Sequence, residues 1–273
     1  MAGAGLATSA GTAQARPPRL NLSGRYQQSG FAIGATAPRA GILVDSQPVV
    51  TASTAGYFVV GFDRDAPAQT AITVQNSDGT AVHDLPIAPG AYDIQRVDGL
   101  RQDTVTPTDP ALLERIAAEA KRKAIGFASN IDADYFKDGF VLPVQATRIS
   151  GSFGGQRILN GVPATPHFGY DMAAPVGTPI VAPGAGVVSF AETGLHFEGG
   201  LVMIDHGQGL VSCYLHMSQV DVVLNQRLAQ GDRIGLVGQE GRATGPHLCW
   251  RMKWRGRNLD PSLLVGAKAP RAV

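Results

Sequence analysis

The sequence predicts a mainly β protein, with a small N-terminal β-sandwich, a connecting helix and a C-terminal antiparallel β-sheet domain. Three observations predict it. Glycine makes up 34 of the 273 residues, well above the usual ~7%, and 18 prolines add further breaks. The apolar residues fall in short runs bounded by turn residues, the pattern of strands. Only one stretch carries a helical spacing of apolar positions.

Residues 1–19 are rich in Ala, Gly, Ser and Thr and read as a flexible tail or the remnant of an export signal. Ala13-Gln14-Ala15 has the form of a signal-peptidase site, although a basic start and an apolar core are missing before it. The expected protein is therefore an exported one. Residues 20–100 carry the short strands, among them Gly41-Ile42-Leu43-Val44, Gly56-Tyr57-Phe58-Val59-Val60, Ala71-Ile72-Thr73-Val74 and Tyr92-Asp93-Ile94-Gln95-Arg96-Val97. Turn signals such as Asn76-Ser77-Asp78-Gly79 separate them, as in a small sandwich. Asp63-Arg64-Asp65 reads as solvated turn charge and His83 as structural.

Residues 101–139 read as a helical linker. Asp109 is a natural N-cap with Pro110 at the first helical position. Leu112, Leu113, Ile116, Ala117 and Ala120 form the apolar stripe, and Gly126 is a natural stop. Lys121, Arg122 and Lys123 read as a solvated helix end that complements the helix dipole. Residues 140–266 form the second β domain, and 267–273 a tail.

A net charge of +1 argues against a nucleic-acid footprint. No apolar run reaches the roughly 18 residues of a membrane span, so no transmembrane segment is expected. Two cysteines, Cys213 and Cys249, do not make a disulfide framework.

The chemistry is concentrated in three stretches with even spacing: His167-Phe168-Gly169-Tyr170-Asp171, Tyr214-Leu215-His216 and His247-Leu248-Cys249. In extended chain, residues two or four apart share a face. Each stretch would then offer two polar side chains to one wall, with Gly169 letting the backbone pass close to whatever His167 and Asp171 hold. With Tyr214 and His216 facing the site, Cys213 faces away from it while Cys249 shares the His247 face. A bridge between the cysteines is disfavoured on that parity, which a β-bulge would undo. Trp250 and Trp254 fall to the core or groove wall, and His196 and His206 read as structural.

From about Val141 to Leu264 the chain resembles the lysostaphin-type, or LytM-like, zinc endopeptidases of bacterial peptidoglycan. The matching residues are His167-x-Gly169-x-Asp171, Ala174-Pro175-x-Gly177-Thr178-Pro179 and Asp205-His206-Gly207. Tyr214-x-His216-Met217, Gly231-Asp232-x-Ile234-Gly235 and Thr244-Gly245-Pro246-His247-Leu248 complete the series. The resemblance implies zinc as cofactor, His167 and Asp171 as two of its ligands, and His216 and His247 as catalytic histidines. It further implies that Tyr214 lines the site and that Arg157 borders the substrate groove. The family's third ligand is the second histidine of a His-x-His pair, and here that position is Cys249.

A thiolate is a good zinc ligand, but it adds a negative charge and should weaken the metal as a Lewis acid. The implied function is hydrolysis of peptide bonds in peptidoglycan cross-links or stem peptides. The alternative is a catalytically degenerate relative that regulates or activates other cell-wall hydrolases. The Ala182-Pro183 and Gly231-Asp232 rhythm also resembles lipoyl- or biotinyl-type carrier barrels. Lys253, the candidate modified residue, falls inside an expected strand rather than at a hairpin tip, which counts against that reading.

Overall fold

A computed structural model describes residues 17–273; the expected tail lies outside these residues from 1 to 16. The first half holds β1 (Asn21–Arg25), β2 (Phe31–Ala35), β3 (Gly41–Val44), β4 (Gln47–Thr51), β5 (Tyr57–Gly61), β6 (Gln69–Asn76), β7 (Gly79–Pro86) and β8 (Ile94–Val97). Two helices follow, α1 (Gln102–Val105) and α2 (Pro110–Phe127). Then come β9 (Arg148–Gly151), β10 (Gln156–Leu159), β11 (Val162–Pro163), β12 (Tyr170–Ala173), β13 (Pro179–Val181) and β14 (Gly186–Leu195). The chain closes with β15 (Gly199–Asp205), β16 (Leu210–Val220), β17 (Arg227–Leu228), β18 (Arg233–Val237), β19 (His247–Trp254) and β20 (Arg257–Leu259). The mainly β class and its antiparallel C-terminal sheet are as the sequence predicts.

The N-terminal strands form a three-stranded sheet, β1-β2-β5, and a four-stranded sheet, β4-β3-β6-β7. Both feed one buried core through Ile33, Phe58, Ile42 and Ile72. That core runs on into the large sheet, ordered β17-β14-β15-β16-β19-β12-β9, whose fully buried Trp250 and Trp254 belong to it. The core position of both tryptophans matches the sequence reading.

Strand β8 departs from that reading. Instead of completing the sandwich it pairs in parallel with β10, which also pairs with β11. Two glycines make this possible. A Cβ at Gly154 would meet the Tyr92 ring at 2.2 Å, and one at Gly155 would meet Gln95 at 2.7 Å. Arg64, expected as solvated turn charge, stacks on Tyr92 at 4.4 Å and donates from Nε to the Gly154 carbonyl. The N-terminal half thus buttresses the loop that precedes His167.

Helix α2 begins as expected, with Asp109 accepting from the Ala111 amide at 3.2 Å. It ends at Phe127, one residue past Gly126, which is buried where a Cβ would press on Phe190 and Met203 at about 3 Å. The expected apolar stripe is mostly exposed, and Glu119 is buried in its place. Glu119 accepts from Arg115 Nε at 2.8 Å and from the His196 amide at 2.9 Å, so its burial is compensated. The basic cluster is likewise not simply solvated. Arg122 pairs with Glu192 and Lys123 with Glu198, fastening the helix to the β14–β15 hairpin. Among the described residues no helix is long and apolar enough to cross a membrane.

Asp205-His206-Gly207 is structural in this fold. Asp205 accepts from Ser129 Oγ, the Ile131 amide and the Gly207 amide. His206 is fully buried. Its Nδ1 donates to the Ala185 carbonyl, which fixes Nε2 as the acceptor of the Ser212 hydroxyl. Burial pushes the His206 imidazole down to about 4 from its ordinary 6.5. Below pH 6.5 the unfolded chain takes up a proton that native His206 refuses, so stability falls as pH drops towards 4, by roughly 3 kcal/mol in all. Urea unfolding between pH 7 and pH 4 should show this fall. His206→Gln should remove that part of it, and an unchanged pH slope in the variant would refute the assignment.

Candidate metal centre

His167 is not on a strand. It lies in the irregular segment before β12, so strand periodicity is not what brings it to Asp171. Its backbone is gripped instead by the glycine loop: its amide donates to the Gly155 carbonyl and its carbonyl accepts from the Gly154 amide. Asp171 sits on β12 directly opposite Cys249 on β19, and paired residues of antiparallel strands point to the same side. Gly169 leaves the space between these side chains open. A Cβ there would stand 2.5 Å from Cys249 Sγ and 2.9 Å from His167 Nε2.

The three candidate ligand atoms converge, all within 4.8 Å of one another. His167 Nε2 is 3.1 Å from Asp171 Oδ1 and 3.5 Å from Cys249 Sγ. The His167 Nδ1–H faces the Ser152 carbonyl at 3.3 Å, leaving the Nε2 lone pair directed at the other two atoms. Burial lowers the His167 pKa despite the nearby carboxylate, so the ring is neutral. Asp171 Oδ1 is buried without a hydrogen-bond partner. Burial alone would raise the Asp171 pKa, but the positive charge around it, Arg157 at Oδ2 included, outweighs burial and holds the carboxyl well below its ordinary range. A lone pair facing an orphaned carboxylate oxygen, with a sulfur alongside, is an arrangement that a cation completes. Nitrogen, oxygen and sulfur donors of this kind suit a divalent transition ion.

His216 and His247 stand beside this cluster with rings 4.7 Å apart. His247 Nε2 is 3.9 Å from Asp171 Oδ1. Each ring is held through Nδ1 by a backbone carbonyl, His216 by Glu240 at 2.7 Å and His247 by Gly245 at 2.8 Å. Both therefore keep Nε2 free. Burial, then the neighbouring His247, pushes His216 down to about 3. His216 reaches the site through a distortion of β16, with a φ of 67° and a register shift just after it. Its amide donates to the Glu198 carbonyl, so the hairpin tip and the Glu240 loop together hold the strained residue.

That distortion corrects two expectations. In the β16–β19 register Tyr214 faces Trp250, and Leu215 faces Cys249. Tyr214 therefore points away from the site, fully buried, its hydroxyl donating to Ser212 Oγ in the His206 network. It is a core residue and does not line the cleft. Cys213 lies on the Cys249 side of the sheet rather than the far side, and both cysteines are free and buried in the same apolar cluster. Strand parity is reset by the extra residue at His216.

Arg157 does more than border a groove. Its Nη2 lies 3.2 Å from Asp171 Oδ2, the oxygen turned away from His167, and so orients the carboxylate. The residue missed in the sequence is Arg251, whose Nε donates to Cys249 Sγ at 3.4 Å. Its signal was present, because Cys249 and Arg251 are two apart on one strand and share a face. A cleft of about 630 Å³ opens over Asp171, His216 and His247, with Arg96, Arg148 and Thr244 among its walls.

A β fold with a His, Asp and Cys cluster and two flanking histidines defines a candidate metal-dependent hydrolase. Residues 165–261 match the model of peptidase family M23. Peptidoglycan DD-endopeptidase ShyA of Vibrio cholerae is 41% identical over 118 residues, covering 41% of this chain and 26% of that protein. ShyC of the same organism, also named a peptidoglycan DD-endopeptidase, is 37% identical over 123 residues, covering 44% and 28%. The matched stretch thus spans about a quarter of the length of these curated relatives. A Pseudomonas aeruginosa crystal structure provisionally assigned to peptidase M23 superposes with a TM-score of 0.68 at 27% identity. It covers 89% of this chain and 96% of that one, so the likeness includes the N-terminal strands.

Proposed function

We propose that this chain is a zinc-dependent endopeptidase that hydrolyses peptide bonds in peptidoglycan cross-links or stem peptides, in the periplasm or cell envelope. The observation that carries the reading is the convergence of His167 Nε2, Asp171 Oδ1 and Cys249 Sγ beside two histidines with free Nε2 atoms. The family match and the two DD-endopeptidase relatives support the substrate class. Residues 140–266 would be the catalytic unit, and 20–100 a strand unit that braces the His167 loop through Tyr92 and Arg64.

His167, Asp171 and Cys249 would hold the zinc, which when bound would polarise the scissile carbonyl and make water more acidic. Arg157 keeps Asp171 turned towards His167. His216 or His247 accepts a proton at Nε2 from the attacking water, while its Nδ1 proton stays on the backbone carbonyl. The protonated ring then returns that proton to the amine nitrogen as the C–N bond breaks, leaving a carboxylate and an amine. The neighbouring imidazole faces the same cleft, and its free Nε2 can accept a hydrogen bond from the attacking water and so orient it.

The test is hydrolysis of purified cross-linked muropeptides by the full chain, with products separated by mass. New amine and carboxylate ends should appear, vanish with a zinc chelator and return on adding zinc. Zinc-loaded protein that cleaves no cross-link or stem peptide would refute the enzyme and favour a wall-binding regulator of other hydrolases.

A further inference from the structure

Arg251 presents a problem that the ligand set itself answers. Its side chain enters the site face of β19 beside the apolar cluster of Leu215, Cys213 and Cys249. Among the described residues no carboxylate lies within ion-pair distance of its guanidinium, although Asp171 close by is paired with Arg157. The side-chain acceptor it does have is Cys249 Sγ, at 3.4 Å from Nε. The aliphatic stem is fixed as well, since a Cβ at Gly169 would touch Arg251 Cγ at 3.3 Å and Cys249 Sγ at 2.5 Å. Backbone, sulfur and guanidinium are thus packed as one unit.

A cysteine ligand brings a second negative charge to a centre that already holds Asp171. A charged donor hydrogen-bonded to an anionic acceptor is about twice as strong as a neutral pair, and an arginine left without a counter-charge in such a place is costly. An imidazole at position 249 would be neutral, and its second nitrogen would carry a hydrogen when the first bound metal, setting donor against donor. The arginine suits sulfur and not histidine.

We propose that Arg251 is a positioning residue of the metal centre: its Nε–H holds the Cys249 sulfur towards His167 and Asp171 and supplies the positive charge that a second anionic ligand requires. This rests on the reading that His167, Asp171 and Cys249 bind zinc. It makes the cysteine a built feature of this site and not the scar of a lost histidine.

The experiment is a zinc affinity cycle on the full chain under reducing conditions, by competition with a chromogenic chelator. Arg251→Gln should weaken zinc binding about 10- to 100-fold, the usual effect of losing a partner to a ligand. Arg251→Lys should recover part of the loss by restoring the charge. In the Cys249→His background, Arg251→Gln should change affinity less than about threefold, because the sulfur it serves is gone. Cobalt-loaded protein adds a signature that simple destabilisation would not move, a shift of the sulfur-to-metal absorption band in Arg251→Gln. Unchanged affinity and band in Arg251→Gln would overturn the proposal while leaving the zinc reading intact. Equal losses in the wild-type and Cys249→His backgrounds would overturn it too. Zinc-free wild type with a native circular dichroism spectrum would overturn the zinc reading and this proposal with it. Should Arg251→Gln fail to fold, Arg251→Lys against wild type decides: a band identical to wild type then refutes the hydrogen bond to sulfur.

Discussion

Cys249→Ala protein should fold and emerge without zinc, whereas wild type purified under reducing conditions should carry about one zinc per chain. Removing the sulfur leaves only His167 and Asp171 facing each other. The gap over Gly169 that the sulfur fills becomes empty, and Arg251 loses its acceptor. Loss of a direct ligand should exceed the ~100-fold upper range seen for outer partners. Cys249→His should bind zinc, since it restores the ligand type that the family resemblance implies at this position. Atomic absorption on the three proteins checks the prediction. Zinc retained in Cys249→Ala would remove Cys249 from the site. Zinc absent from wild type but present in Cys249→His would mark the chain as a degenerate relative that regulates other hydrolases.

The site was legible in the sequence where it rests on local order, and obscure where it rests on distant partners. His167, Asp171, His216, His247 and Cys249 stand in short motifs and do lie together, although the glycine loop places His167 and a distortion of β16 places His216, neither by regular strand spacing. Tyr214 went astray because parity along β16 is reset at His216, whose φ of 67° depends on carbonyls from Glu198 and Glu240, both outside its own strand. No property of Tyr-Leu-His announces that bulge. The N-cap at Asp109 is local and was readable. Burial of Glu119 was not, since the amide that satisfies it belongs to His196 on the β14–β15 hairpin. Strand β8 reads correctly as a strand and wrongly as a sandwich member. Its parallel partner β10 lies far along the chain, and parallel pairing leaves no turn signal. Arg251 was the one avoidable omission, two residues from a named ligand on the same face.

The second large effect concerns the two histidines that the proposed function assigns to proton transfer rather than to the metal. His216→Asn and His247→Ala should each retain zinc and lower kcat on cross-linked muropeptides by about 10²- to 10⁴-fold, the usual worth of a positioned acid or base. Asparagine is the better choice at 216, because it tolerates the left-handed backbone that alanine would strain. The two rings are 4.7 Å apart and open onto one cleft. If they act in sequence on one proton, the double variant should be little slower than the worse single one. Two independent contributions would instead multiply. The pH profile separates the partners further. His216, pushed down to about 3, stays neutral throughout the working range. An acid limb that persists unchanged in His216→Asn would show that His216 does not set it. Full activity with zinc bound in either variant would remove that histidine from the chemistry and leave it a wall of the cleft.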